Sequence, residues 1–470
     1  MILTQFGAFF LPLLLAVLLL ARPWLPALLL VATTLQAASV VNVDVAAWLP
    51  ASGLGVYGIT PYNAVALCMG VLLLWRGVTV GWVLPLQVRR SAGLWLAYAL
   101  VAVVGAWALP RVFEGTRVHE MLSLYGMSKP PVPVQASLSN MVQAANLLVH
   151  GVVLLYVLQC VQDVGFVRRM VWGALAALAL VLGVGLYERL AWTLDWPTAV
   201  AFWLNNPGYA LLGGQVTAGD LMRVSSPFSE PSYTSSYLAT TTLGLMAVAA
   251  FGRRTRWALA LGVLSALGLF NTLGSTGWAA AGLAALAMVF WMGARASVLD
   301  ENNHIREREA WIWLVLSAVL VATLWAAQST RYSQDIDKTL NELLLNKAQP
   351  GNQEERAVTN VRAMEIVGET HGLGVGLGSN RASSFFASLL SNTGVPGALL
   401  FAAMLVSLLW RYFRTPQLSD PQLFVGVSLF TATIAVGLGI PDLNLPMYWG
   451  FIFLGFVFCP EDAPMDTAKP

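Results

Sequence analysis

Residues 91–110 read SAGLWLAYALVAVVGAWALP, follow the pair Arg89-Arg90 and contain no charged side chain. A helix needs about 20 such residues to cross the hydrocarbon core of a bilayer, so this run is expected to span a membrane. The same reading extends outward in both directions. Spans are expected at 5–21, 24–41, 58–75, 91–110, 139–160, 170–191, 233–252, 257–273, 277–294, 310–328, 384–410, 421–440 and 444–459. The first two and last two form tight pairs, so the total is set at about twelve to fourteen. Lipid-exposed backbone must bond within its own segment, and no series of short alternating strands suggests a barrel, so the fold class is an all-α polytopic transmembrane bundle. Composition agrees: 57% of the 470 residues are hydrophobic and 11% charged, against roughly 25% charged in a soluble domain. Residues 8–21 lack a basic flank and a small-residue cleavage site, which reads as a retained first helix rather than a signal peptide.

Basic residues orient the chain. Arg76, Arg89 and Arg90; Arg168 and Arg169; Arg253, Arg254 and Arg256; Arg295, Arg306 and Arg308; and Arg411 and Arg414 occupy connectors separated by even numbers of expected spans. Placing all five in the cytoplasm puts 111–138, 192–232 and 329–383 on the opposite side. The organisation expected is therefore N-terminal helices in 1–138, central helices in 139–328 with an exterior loop at 192–232, a large exterior loop at 329–383, and C-terminal helices with a short tail in 384–470. A net charge of +2 gives no reason to expect a nucleic-acid partner. Cys68, Cys160 and Cys459 lie in or beside apolar runs, and His119, His150, His304 and His371 are scattered, so neither a metal site nor a disulfide framework is expected. No internal repeat supports an inverted-repeat transporter.

Three exterior stretches carry the polar chemistry. In 223–233, RVSSPFSEPSY, Pro227 and Pro231 resist helix, so an ordered loop should become a helix near Ser232. Arg223 and Glu230 there read either as an interfacial ion pair with a helix cap, or as an anion ligand and a group that orients or deprotonates a hydroxyl. The large loop carries six basic and seven acidic residues. Within it, Glu355, Arg362 and Glu369 are spaced to share one helix face, which suits an ion pair at Arg362. Arg356 points about 100° from that stripe with Asn360 one turn on, which makes Arg356 the better anion ligand. In 371–381, HGLGVGLGSNR, Gly374, Gly376 and Gly378 sit in a turn expected to expose backbone N–H groups to an anion, flanked by His371 and Arg381. It lacks the GK[ST] of a phosphate-binding P-loop. His371 reads as a surface histidine or as a catalyst.

The order Arg356, Asn360, His371, Gly374-Val-Gly376-Leu-Gly378, then Asn392-Thr-Gly394-Val-Pro-Gly397, resembles the signature region of the O-antigen polymerase/O-antigen ligase family. The stretch from Arg223 through Phe228-Ser-Glu230-Pro231-Ser232 resembles that family's other periplasmic arginine loop. The likeness covers about 50 residues plus a further ten around Arg223; the remainder matches as a hydropathy profile. Two departures stand out: His371 replaces a proline, and Ser383 falls where the family has a histidine. The resemblance implies a GT-C-like, metal-independent and cofactor-free glycosyltransferase of the bacterial inner membrane, with its active site on the periplasmic side. Its donor and acceptor would be undecaprenyl-diphosphate-linked oligosaccharides. A polymerase of exopolysaccharide, capsule or O-antigen repeats is favoured by the missing histidine; a ligase acting on lipid A-core and a lipid-linked glycan flippase are the alternatives. A chain-length regulator and export proteins would be natural partners beside membrane lipid. The residues and the resemblance together give an expected site with Arg223, Glu230 and Arg356 in catalysis, Glu230 being the first choice for the base in place of the missing histidine, and Asn360, Arg362, His371, Gly374, Gly376, Gly378 and Arg381 in substrate binding.

Overall fold

A computed structural model describes residues 1–44, 56–79, 81, 85–119, 130–208, 222–296, 350–415 and 417–460. The expected span 310–328 and the first part of the large loop, 329–349, lie outside the described residues, as do 120–129 and 209–221 of the two shorter loops.

In chain order the helices are α1 (Gln5–Leu20), α2 (Leu25–Ala32), α3 (Pro61–Thr79), α4 (Arg89–Val112), α5 (Leu138–Cys160), α6 (Phe166–Leu194), α7 (Pro231–Phe251), α8 (Thr255–Thr272), α9 (Ser275–Ala296), α10 (Pro350–Glu369), α11 (Phe385–Arg414), α12 (Asp420–Gly439) and α13 (Pro446–Val457). Six of them, α3, α4, α5, α6, α11 and α12, are long and apolar enough to cross a bilayer. The chain is thus an all-α polytopic membrane bundle.

Helix α7 is the hub. It packs on α8, α9 and α12, and nearly every side chain from Pro231 to Ala249 is buried. Its sequence explains this. Without a hydrophobic drive between helices in lipid, close backbone approach and hydroxyl bonds do the work. A Cβ at Gly244 would stand 2.2 Å from Ser428 Oγ and 2.9 Å from the Phe424 carbonyl oxygen on α12. Ser428 Oγ donates to the Thr240 carbonyl at 3.3 Å. Toward α8, the hydroxyls of Thr241 and Thr242 meet Ser265 Oγ at 3.0 and 2.9 Å.

The two ends of the bundle differ in kind. At one end the basic connectors are joined to each other. Arg76 pairs with Asp163 at 2.8 Å, Asp420 accepts the Arg253 and Arg254 backbone N–H groups at 2.7 and 3.2 Å, and Ser91 meets Ser407 at 2.8 Å. At the other end sit the loops that sequence reading marked for chemistry.

Two expected spans are shorter than the sequence suggested. The run 24–41 stops being helical at Ala32. Thr33 and Thr34 turn their hydroxyls back onto the Leu30 and Val31 carbonyls at 2.6 and 2.7 Å, and the buried segment beyond them leads into a strand. That strand, β2 (Val41–Asp44), lies between β1 (Ile2–Leu3) and β3 (Val56–Ile59) in an antiparallel sheet. A second pair, β4 (Arg117–Val118) and β5 (Val132–Pro133), lies in the connector between α4 and α5. These short ribbons carry no readable alternation, so sequence patterning missed them. The last span, expected over 444–459, is the twelve-residue α13, buried on all sides.

Gly244→Val should lower the thermal midpoint of the purified protein, since overpacking a tight interface costs roughly 1–3 kcal/mol. Gly282→Ala, at a position with open space, should leave it unchanged or raise it, because alanine is the better helix former by up to about 1 kcal/mol. Detergent-solubilised melting followed by size exclusion reads both.

Candidate functional site

The arginine loop 222–230 is ordered and largely buried, as the two prolines imply, and α7 starts with Pro231 at its first position. Two charged residues from α6 hold it. Glu188 Oε2 accepts the backbone N–H groups of Ser225 and Ser226 at 3.1 and 2.8 Å. Arg189 Nη2 donates to the Met222 and Asn271 carbonyls at 3.0 and 3.2 Å. Ser226 adopts a left-handed φ of 53°, a conformation that few non-glycine residues hold without such fixing. Arg223 and Glu230, both half-buried, emerge from this clamped turn. Glu230 Oε1 accepts the Ser232 hydroxyl at 2.5 Å.

Sequence reading placed no weight on Glu188 and Arg189. The signal was there: two ionisable residues inside the expected 170–191 span, where neither is easily kept without a task. Consecutive on a helix, they diverge by about 100°, so one meets the loop's N–H groups and the other bridges the Met222 carbonyl of the loop to the Asn271 carbonyl of α8.

Helix α10 buries Thr359, Ala363 and Ile366, and the residue just beyond it, Thr370, is buried too, a 3–4 residue spacing that seats it on the start of α11. Asn360 Oδ1 accepts the Ser383 and Ser384 backbone N–H groups at 3.0 and 3.1 Å, and Thr359 Oγ1 meets Ser383 Oγ at 2.8 Å. Asn360 and Ser383 therefore join α10 to α11. Arg362 is fully engaged. Its guanidinium makes a two-pronged pair with Glu369 at 2.7 and 2.8 Å, a third bond to Glu365 at 2.8 Å, and a fourth through Nε to the Arg117 carbonyl at 2.9 Å. The Glu369 contact, then Glu365, hold its protonation constant above the ordinary arginine value. The Arg362–Glu369 pairing follows the expected stripe; Glu365, one turn closer, joins it. Arg356 is exposed, and its guanidinium makes no ion pair among the described residues.

The glycine-rich turn differs from expectation. Gly374, Gly376 and Gly378 all have positive φ, but the turn is buried and its N–H groups are largely bonded inside the fold. Gly374 N donates to Thr370 Oγ1 at 2.9 Å, and Val375 and Gly376 N donate to the Ser391 and Asn392 carbonyls at 2.9 and 3.0 Å. Asn392 Oδ1 accepts Ser379 N and Asn380 N at 3.1 Å each, and Asn140 Nδ2 on α5 donates to the Leu377 carbonyl at 2.8 Å. The glycines permit close approach instead: a Cβ at Gly376 would fall 2.7 Å from Pro110 Cδ. The turn is a packed connector, not an open anion cradle. It positions the two side chains at its ends, exposed His371 and half-buried Arg381.

The structure thus assembles two groups at one end of the bundle. Arg356, Asn360, Ser383 and the 371–381 turn form one, fixed by α10 and α11; Arg223 and Glu230 form the other, fixed by α6 and α7. Among the described residues no three His, Cys, Asp or Glu side chains are arranged to hold a metal ion. The fold defines the class, a polytopic helical membrane protein with a polar, arginine-bearing end. No protein-family model and no curated protein sequence matches the chain.

Asn392 holds the turn through both ends of its carboxamide, with Nδ2 donating to the Asn380 and Ser388 carbonyls at 2.7 Å each. Asn392→Ala should destabilise the protein by on the order of 2–4 kcal/mol, as buried groups lose their partners. Denaturation in mild detergent measures this; a change within experimental scatter would contradict the bonding described.

Proposed function

We propose that the protein is a membrane glycosyltransferase that polymerises undecaprenyl-diphosphate-linked oligosaccharide repeats at the periplasmic face of a bacterial inner membrane. The observation that carries this is the contrast between two arginines on α10: Arg362 is saturated by carboxylates, whereas Arg356 is exposed and makes no ion pair among the described residues, one turn before the Asn360 junction with α11. A permanently charged planar fork left open next to a rigid junction suits a diphosphate, whose oxygens it can hold two at a time. The segregation of basic connectors to the far end supports an exterior site, and a GT-C-like arrangement is the fold reading that goes with it.

In the proposed reaction an acceptor hydroxyl oxygen attacks the anomeric carbon of the donor sugar while the bond from that carbon to the diphosphate oxygen breaks. The electron pair leaves on the diphosphate, where charge builds up against fixed guanidinium groups, Arg356 first and Arg223 with it. The hydroxyl proton passes to Glu230, whose Oε1 is held by Ser232 and whose Oε2 is left for the proton. Attack opposite the leaving group inverts the anomeric centre. Ser383 stands where the family has a histidine; its hydroxyl, bonded to Thr359 Oγ1 at 2.8 Å, is not basic enough to take the proton, and the missing histidine supports polymerase over ligase.

Arg356→Lys should reduce polymer formation almost as severely as Arg356→Ala, on the order of a hundredfold, because lysine keeps the charge and loses the fork. Arg362→Lys is the control and should keep most activity, since its pairing role tolerates an ammonium. The readout is polymer from purified lipid-linked repeats with membrane levels matched. Near-normal turnover by Arg356→Lys would remove the diphosphate role from Arg356.

A further inference from the structure

A recess lies at the loop end of α6, between that helix, the short helical turn Val200–Trp203 and the arginine loop. It holds about 300 Å³ of empty space, its open mouth included, and its closed end admits only a few heavy atoms. Tyr187, Glu188 and Ala191 of α6, Val200 and Trp203 opposite them, and Ser226 of the loop line it. Glu188 is the one charged residue among the described lining.

The surroundings fix its depth. Tyr187, Trp192 and Trp196, at this end of α6, are 38%, 47% and 48% exposed. Tyrosine and tryptophan collect where a bilayer meets water. Only 28% of the apolar stretch of α6 is buried by the rest of the bundle. Tyr187 therefore sets the mouth of the recess at the level of lipid headgroups.

The polar groups of the recess are suited to accepting. Glu188 is 6% exposed. Its Oε2 takes the Ser225 and Ser226 N–H groups, and its Oε1 has no hydrogen bond among the described residues. The Ser226 hydroxyl has given its proton to the Val181 carbonyl at 2.6 Å, and the Tyr187 hydroxyl to the Pro197 carbonyl at 2.7 Å. Both are left with lone pairs only. The C-terminal end of α6 adds partial negative charge. A phosphate or carboxylate would be repelled there, and a hydroxyl brings a single proton to several acceptors. A primary ammonium carries only donors. Its positive charge offsets the buried carboxylate, and the faces of Tyr187 and Trp203 attract an organic cation.

We propose that this recess binds the primary ammonium headgroup of an aminophospholipid, with one N–H donated to Glu188 Oε1. Oε2 of the same carboxylate holds the Ser225–Ser226 turn, so the bound lipid helps to fix the loop that carries Arg223. The binding does not rest on the glycosyltransferase reading.

Native mass spectrometry tests this on full-length protein released from nanodiscs of phosphatidylethanolamine, phosphatidylglycerol and phosphatidylcholine in equal amounts. The first headgroup has a primary ammonium, the second hydroxyls, and the third a quaternary ammonium with no N–H. Retention of phosphatidylethanolamine over both others is expected. Glu188→Gln keeps an oxygen for the Ser225 and Ser226 N–H groups. It should lower that preference about tenfold or more, the usual loss for a hydrogen bond to a charged group. Val200→Phe narrows the recess from the opposite wall and gives the same reading if Glu188→Gln fails to fold. Arg356→Ala should leave the preference intact, which separates loss of polymer formation from loss of lipid binding. Equal retention of the three lipids, phosphatidylcholine held as strongly as phosphatidylethanolamine, or a preference unchanged in the variants that fold would overturn the assignment. Displacement of the retained lipid by glucosamine would overturn the lipid as the occupant.

Discussion

Every backbone group below the membrane surface needs a partner, and the irregular segments of this bundle depend on that requirement. The helices meet it internally. Among the described residues four buried interruptions cannot, and each is secured by groups from elsewhere in the fold. At 37–40, Asn205 Oδ1 accepts Ser39 N at 2.6 Å and Asn206 N donates to the Ala37 carbonyl at 3.0 Å. At 222–226, Glu188 takes the N–H groups and Arg189 the carbonyls. At 374–384, Asn140, Asn360 and Asn392 serve the turn. At 440–445, His150 Nε2 meets the Asn444 carbonyl at 3.3 Å and Trp449 Nε1 donates to the Leu443 carbonyl at 3.0 Å. Buried carboxamides are therefore structural first, and what they hold in place is the functional surface.

This arrangement explains which arginines remain open. Guanidinium groups near an interface are retained only when paired or used. Arg76, Arg189 and Arg362 are committed to Asp163, to the Met222 and Asn271 carbonyls and to Glu369 respectively. Arg356 and Arg381 lie on α10 and at the end of the glycine-rich turn, the first exposed and the second half-buried, and neither forms an ion pair among the described residues. The exposed environment of Arg356 suits a phosphate.

Much of this was readable in the sequence and some was not. Apolar runs gave the long helices because length and charge exclusion are local properties. They misjudged 24–41 and 444–459, because an apolar run does not reveal whether lipid or protein surrounds it, and protein tolerates the irregular, turn-rich Thr33–Val40 segment that lipid would not. The Arg362 pair was legible from helical spacing, which is why the Glu369 contact appears where periodicity puts it. The glycine turn was misread for the opposite reason: positive φ was inferable, but the partners of its N–H groups, Thr370, Ser391 and Asn392, depend on how α10 and α11 meet. Glu188 went unweighted because its significance arises from partners 37 and 38 positions away, Ser225 and Ser226.

The central claim is that the protein lengthens a lipid-linked glycan. It is tested most directly by mass spectrometry of the lipid fraction after purified protein in nanodiscs is incubated with the organism's own undecaprenyl-diphosphate-linked repeat. The account predicts a ladder of lipid-linked products spaced by one repeat, with free undecaprenyl diphosphate released in step. Single repeats that persist unchanged beside folded protein would contradict it.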